Sequence, residues 1–247
     1  MVEFKTLPFT KIKEWEDPRE GYGLHRIRDF FKKSLPHLSG NNKGFWELYS
    51  TMFLEKHDEC YYGSCWSLVK ESDSMWRNYS DGDGVKIRTT TNKLNELDHI
   101  ICFPEKSEKV LDEIKAKKEY PRILTLGPTM NFTGKVQYCS ILDKQDLGIP
   151  KSDPRYFAFL TKRNAFKSEK EVRKVIKTMH DDSDEPYDQD KLFAPWHKRF
   201  LYAPIDPNDF IEEVVVDPRA YESTFLAIQK YCEKKRLKCY QSKLYER

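Results

Sequence analysis

The sequence lacks the features that mark a membrane, secreted or metal-binding protein. Its 247 residues contain no apolar run near the roughly 20 residues that a membrane helix needs. The segment Met1–Lys5 has no apolar stretch of the kind found in secretory signals. The 6 cysteines form no Cys-x-x-Cys pair and share no zinc-ligand spacing with histidine, so we expect free thiols and no structural metal. These absences predict a cytoplasmic protein that does not contact a membrane.

A strong charge bias and internal repeats are absent as well. The 43 basic residues nearly balance 40 acidic ones, and the net charge of +3 is far below that of a dedicated nucleic-acid binder. The basic stretch from Lys230 to Lys238 leaves nucleic-acid contact open, although a solvated helix end, where cations favour the helix dipole, explains it better. With no repeat and no low-complexity linker, we expect one domain over residues 1–247.

Three common catalytic signatures are also missing. There is no glycine-rich phosphate loop, no nucleophile elbow and no His-Glu-x-x-His pair. The sequence therefore gives no support for a P-loop NTPase, an α/β-hydrolase or a zinc metalloprotease. What the sequence has in quantity is aromatic residues, at 14%, which supply the large apolar side chains of a core.

Hydrophobic periodicity predicts an α+β fold, a single domain with a central mixed sheet flanked by helices. Strands are predicted over 3–13, 60–66, 84–90, 134–141, 171–176, 210–216 and 237–244, and helices over 24–35, 71–79, 105–118 and from about 221 to 232. Pro8 favours an edge position for the first strand. At the C-terminus, strand, helix and strand follow in the order of a right-handed crossover, so part of the sheet is expected to be parallel.

Two of these helices carry predictions about their buried faces. In the C-terminal helix Tyr221, Phe225, Ile228 and Cys232 recur at helical spacing and are predicted to share the buried face. In the helix over 71–79, Trp76 is predicted to face the core.

Four stretches follow one another in a recognisable order. They are Trp15–Gly21 with its Asp-Pro turn, Ser64–Thr90, Lys162–Arg173, and Ile211–Pro218 with Ser242 and Leu244. In order and spacing they resemble a bacterial and phage family known as domain of unknown function 2971. Members of that family usually begin with a further aromatic-rich strand and a short helix, so we expect the opening element to be shortened here.

The segment Phe166-Lys-Ser-Glu169-Lys-Glu171-Val172 resembles the turn-and-strand motif of ADP-ribosyltransferases. The resemblance implies NAD as the substrate and Glu171 as the carboxylate that holds the nicotinamide ribose and stabilises its oxocarbenium charge. Glu169 would orient or deprotonate the acceptor. The superfamily also places a serine-bearing strand beside that glutamate, and Ser64 is the candidate here.

Further residues are candidates for substrate binding, through aromatic stacking or through positive charge. They are Trp66, Trp76, Tyr79, Arg77, Arg173 and Phe166. Each has a structural alternative: core packing for the tryptophans, and an exposed strand face or an internal ion pair for Glu169, Glu171 and Arg173.

Three functional hypotheses follow from these residues. The leading one is an ADP-ribosyltransferase-like or NAD-handling enzyme with a macromolecular acceptor, acting in phage–host conflict. The first alternative is a non-catalytic module that binds a nucleotide or nucleic acid. The second is a metal-dependent hydrolase that uses the same carboxylates.

Overall fold

The computed structural model describes residues 1–3, 5–15, 17, 61–97, 123–125, 131–139, 159–180 and 199–246. The strands are β1 (Thr6–Lys11), β2 (Tyr61–Ser67), β3 (Val85–Arg88), β4 (Ile123–Thr125), β5 (Phe132–Lys135), β6 (Gln137–Cys139), β7 (Thr161–Arg163), β8 (Glu171–His180), β9 (Phe200–Pro204), β10 (Glu213–Val216) and β11 (Cys239–Gln241). The helices are α1 (Asp73–Tyr79), α2 (Thr91–Glu96), α3 (Pro207–Phe210) and α4 (Glu222–Lys234), with short 3₁₀ helices at Ile12–Glu14 and Asn164–Glu169. The helices predicted over 24–35 and 105–118 lie outside the described residues.

These elements confirm the predicted α+β class. The largest sheet has the order β4-β8-β2-β1-β9, and β5 pairs with the same edge of β8 as β4 does. All of its pairings are antiparallel. Among the described helices, none is long and apolar enough to cross a membrane.

The first strand departs from its predicted edge position. β1 lies between β2 and β9, so the prediction from Pro8 was wrong for the strand as a whole. Pro8 itself pairs with Tyr202 of β9, whereas β2 pairs with β1 only at Thr10 and Lys11 in the described residues. The proline therefore occupies the half of the strand that has one partner, where its missing N–H interrupts no second ladder.

The 3-stranded sheet, in the order β11-β10-β3, contains the parallel pairing expected at the C-terminus. β10 pairs in parallel with β11, to which α4 connects it, and antiparallel with β3. The predicted strand over 210–216 is shorter than expected, because Phe210 ends α3, a turn that begins on the Asp206 cap. Tyr221 was predicted to face the core but is 82% exposed, since it caps α4 from outside the helix.

One predicted strand is divided in two. The segment over 134–141 forms the end of β5 and then β6, separated at Val136. β5 pairs antiparallel with β8, whereas β6 pairs in parallel with β7. The chain thus leaves the large sheet at Val136 and begins a separate two-stranded sheet.

The main core lies on one face of the large sheet. Buried residues of β1, β2, β8 and β9 pack there against β10, α2, α3 and α4; they include Leu7, Phe9, Tyr62, Ile176, Leu201, Leu94, Phe210, Val214 and Cys232. The opposite face carries Tyr61, whose ring centroid is 4.3 Å from that of Phe159. On this second face Gly63 is needed for close packing, because a Cβ there would lie 2.6 Å from the Trp15 indole.

A buried carboxylate joins α1 to the small sheet. Asp217, which is 0% exposed, accepts hydrogen bonds from the Ser80 hydroxyl and from the main chain and guanidinium of Arg219. Arg219 in turn donates to the carbonyl oxygens of Trp76 and Ser80 at 2.9 and 2.8 Å. This network holds the C-terminal end of α1 in place.

The network makes stability depend on acid. Burial alone would raise the pKa of Asp217, but the hydrogen bonds from Arg219 and Ser80 outweigh it and lower that pKa to about 2. The carboxylate therefore contributes stability above about pH 4 that is lost as the pH falls towards 2. Between about pH 5 and pH 2.5, we expect the unfolding free energy of the wild type to fall by about 1.5 kcal/mol more than that of Asp217→Asn.

Urea unfolding followed by tryptophan fluorescence at several pH values measures this difference. Asp81→Asn, in the exposed turn before β3, is the matched control and should keep the wild-type pH dependence. Identical pH slopes for the wild type and Asp217→Asn would show that the network does not couple to protonation.

Candidate functional site

The candidate site lies where β2 ends and β8 begins. The 3₁₀ helix Asn164–Glu169 leads into β8 through Lys170, whose φ of 43° is left-handed. A non-glycine residue in this conformation carries a conformational cost of the kind that functional turns often retain. This turn brings Glu169, at the end of the 3₁₀ helix, close to Glu171, the first residue of the strand.

The two carboxylates meet at one lysine. Lys162 Nζ donates to Glu169 Oε2 at 2.8 Å and to Glu171 Oε2 at 3.1 Å. Arg173 Nε donates to Glu171 Oε1 at 2.7 Å, and Tyr79 Oη donates to Glu169 Oε1 at 2.9 Å. The side chains of Lys162, Glu169 and Glu171 are only 11%, 7% and 5% exposed. We call Lys162, Glu169, Glu171 and Arg173 the ion-pair cluster.

The electrostatics of the cluster keep Glu171 and Lys162 ionised. Burial alone would raise the pKa of Glu171, but the guanidinium of Arg173 holds that pKa below its usual range. Burial alone would lower the pKa of Lys162, and the hydrogen bonds and charges of Glu169 and Glu171 raise it well above its usual range. Burial and the hydrogen bond to Glu169 raise the pKa of Tyr79 to about 12, so the phenol remains a donor at neutral pH.

A cavity of about 660 Å³ opens beside the cluster. Its walls include Cys65, Tyr79, Lys162 and Phe166, with both carboxylates of the cluster. The Phe166 ring faces cations, since Lys162 Nζ and Arg163 Cζ lie 4.6 and 5.0 Å from its centroid. We call this cavity the carboxylate pocket; it has the size of a small-ligand site.

A second cavity of about 600 Å³ adjoins the first. Trp66, Trp76, Leu68, Val85 and Lys86 are among its lining residues. We call it the tryptophan pocket. The predicted aromatic residues therefore line cavities: Trp66 and Tyr79 line both pockets, Trp76 lines the tryptophan pocket, and Phe166 lines the carboxylate pocket.

Ser64 does not join the carboxylates, contrary to prediction. It pairs with Lys174 across the two strands, whereas Ser67 pairs with Glu171. Because successive strand residues point to opposite faces, Ser64 lies on the other face of the sheet from Glu171. There its hydroxyl accepts the Trp66 indole N–H at 3.1 Å.

Two predicted arginines are also placed away from an open site. Arg173 is 1% exposed; it donates to Glu171 and to the Phe159 carbonyl, and its guanidinium lies 4.7 Å from the Trp15 ring centre. It is therefore a structural cation, as the ion-pair alternative proposed. Arg77 donates to Asp73 on the exposed side of α1 and lines neither pocket. Glu169 lies in the 3₁₀ helix, ahead of the strand.

Sequence reasoning missed several residues of the site. Lys162, Cys65 and Ser67 all line the carboxylate pocket. Alternation in β2 predicts that Cys65 and Ser67 share one face and that Ser64 lies on the other, but only the pairing register places Cys65 and Ser67 on the Glu171 face. Ser67 further donates from Oγ to the Glu169 carbonyl at 2.6 Å, which secures the turn.

The cluster leaves no gap for a bridging metal between its carboxylates. The Lys162 ammonium occupies the space between Glu169 and Glu171. In the part of the chain that the structure describes, no three His, Cys, Asp or Glu residues come together as metal ligands. The metal-dependent hydrolase therefore gains no support from the geometry.

Comparison with known proteins gives a family match over part of the chain and no activity. Residues 75–174 match the sequence model of a family described as Protein of unknown function (DUF2971), which confirms the predicted resemblance. The matched stretch runs from α1 into β8 and so contains the ion-pair cluster. No curated protein and no solved structure matches the chain.

Removing the cation at the centre of the cluster tests its charge balance. Lys162→Met leaves two buried carboxylates side by side, and breaking a buried ion pair in this way costs about 3 kcal/mol. The loss should shrink as the pH falls, because protonation of one carboxyl relieves the repulsion. The double variant Lys162→Met/Glu169→Gln should recover part of the stability at neutral pH.

Urea unfolding at about pH 5 and pH 8 provides the comparison. Lys167→Met, an exposed lysine of the same 3₁₀ helix, is the control and should have little effect. A loss that is equal at both pH values and unrelieved by Glu169→Gln would mean that packing, not charge, explains the role of Lys162.

Proposed function

We propose that the chain is a cytoplasmic NAD-handling enzyme of the ADP-ribosyltransferase type, with the carboxylate pocket as its active site. The observation that carries the proposal is the pairing of Glu169 and Glu171 at the wall of this pocket, directly after the Phe166 turn. A turn with an aromatic residue, a Glu-x-Glu pair and a strand that starts at the second glutamate is the arrangement that the motif requires.

In this proposal the nicotinamide–ribose bond of NAD is the bond that breaks. Nicotinamide leaves with the bonding electron pair, and the ribose carbon becomes an oxocarbenium-like cation. Glu171, held ionised by Arg173, stabilises that charge and accepts a hydrogen bond from a ribose hydroxyl. An acceptor nucleophile then attacks the same carbon, and its proton passes to Glu169.

The pocket chemistry agrees with such a ligand. Phe166 and Tyr79 offer ring faces for a nicotinamide, and the walls include the cationic side chains of Lys162, Arg163 and Arg199. The role expected of Ser64 passes to residues on the correct face of β2. Ser67 is the cross-strand partner of Glu171, and Cys65 adds a thiol to the pocket wall.

One observation favours the second candidate, a nucleotide-binding module without catalysis. Glu169 and Glu171 are 6% and 5% exposed and already bind internal cations. An ion-pair cluster of this kind stabilises a turn without needing a reaction. A module of this kind would use the same pocket walls and would bind NAD without cleaving it.

A single assay separates the two functions. Purified protein is incubated with NAD carrying a labelled adenosine half and, in parallel, with NAD carrying labelled nicotinamide, each with and without a bacterial lysate as acceptor source. We expect nicotinamide release, and label transfer where an acceptor is present, to fall at least about a hundredfold in Glu171→Gln, the order of effect for removing charge stabilisation.

The controls separate catalysis from folding. Glu14→Gln changes an exposed carboxylate of the same pocket wall and should retain activity. Glu169→Gln should lower transfer more than nicotinamide release, since it acts on the acceptor. Measurable NAD binding by a folded wild type that releases no nicotinamide would identify the binding module, and absence of both binding and release would overturn the proposal.

A further inference from the structure

The two pockets share part of their walls. Trp66, Ser67, Met75 and Tyr79 line both cavities. The tryptophan pocket also contacts Val172, and the carboxylate pocket contacts Glu171, its neighbour on the opposite face of β8. The cavities therefore lie on the two faces of the large sheet and meet beyond its end, where β2 stops and β8 starts.

Tyr79 stands at this junction. The residue is 65% exposed, and its hydroxyl nevertheless donates to the buried carboxylate of Glu169. The main chain on either side of it is held by Arg219, which donates to the carbonyls of Trp76 and Ser80. Tyr79 therefore forms part of the wall between the two pockets.

The tryptophan pocket has walls suited to a planar base. The indole N–H groups of Trp66 and Trp76 are already bound, to Ser64 and Glu71 at 3.1 Å each, so the rings contribute mainly their apolar surfaces. A base that lies against such rings gains stacking energy without hydrogen-bond readout.

Cations line the same pocket beside two carboxylates. Glu213 pairs with Arg88, and Glu71 accepts hydrogen bonds from Trp76 and Ser242. Lys70 and Lys86 also contribute to the wall, and neither forms an ion pair within the described part of the chain. The Lys86 ammonium donates to the Lys70 carbonyl at 2.7 Å, which keeps a positive charge at the pocket wall. A ligand with phosphate groups next to its base matches this combination.

We infer that the tryptophan pocket is a second subsite of the same cleft, and that the cleft takes a dinucleotide whose rings occupy the two pockets on either side of Tyr79. This inference rests on the proposed function, and it assigns the nicotinamide half to the carboxylate pocket and the adenine half to the tryptophan pocket. Nicotinamide mononucleotide, which lacks the adenine half, then occupies the carboxylate pocket alone.

Filling the second pocket tests the assignment. Val85 is 44% exposed, lines the tryptophan pocket and does not line the carboxylate pocket. Val85→Trp suits a strand and places an indole in the cavity. By isothermal calorimetry we expect NAD to bind at least about tenfold more weakly, the loss of one stacked base, with the affinity for nicotinamide mononucleotide unchanged.

Two further variants guard against misfolding and nonspecific effects. Leu68 is 49% exposed and lines another wall of the same pocket, so Leu68→Trp should reproduce the result. Leu226→Trp places the same side chain on the exposed face of α4, outside both pockets, and should alter neither affinity.

The outcomes separate this inference from the function on which it rests. Unchanged NAD affinity in both pocket-filling variants, or equal weakening of NAD and the mononucleotide, overturns the second subsite while the carboxylate pocket stands. Failure of the wild type to bind either ligand overturns both.

Discussion

Charged side chains on a buried strand set the main constraint on this fold. Glu171, Arg173, Lys174 and Lys177 of β8 are all buried, although each carries an ionisable group. Taking such groups out of water costs several kcal/mol each unless a partner compensates. The elements around β8 supply partners. Lys162 donates to Glu171, the Phe159 carbonyl accepts from Arg173, and the Tyr61 ring lies 5.5 Å from Lys177 Nζ.

This requirement links parts of the chain that are far apart in sequence. Arg173 binds Glu171 two residues away, yet it also packs on Trp15, and Trp15 in turn lies against Gly63 of the neighbouring strand. At the start of β8, Tyr79 is held by its hydrogen bond to Glu169. The carboxylate pocket is therefore bounded by residues that are also needed to neutralise β8, so the shape of the pocket and the stability of the strand depend on one set of contacts.

Much of the local structure could be predicted from periodicity. Alternation located β2, β3 and the start of β8, and the order of strand, helix and strand indicated the parallel pair β10 and β11. Predictions failed where a contact outside the segment decided the outcome. Pro8 lies in an internal strand because β2 pairs with the end of β1. Tyr221 stays outside the core because α4 begins after it.

The candidate site was likewise predictable only where local sequence decided the outcome. The sequence by itself determined that Glu169 and Glu171 stand two residues apart after an aromatic turn, because this is covalent spacing. Tertiary structure decided that Lys162 bridges them and that Ser67, not Ser64, faces Glu171. The physical reason is strand register: a shift of one residue exchanges the faces of a sheet, and register depends on pairing between segments about a hundred residues apart.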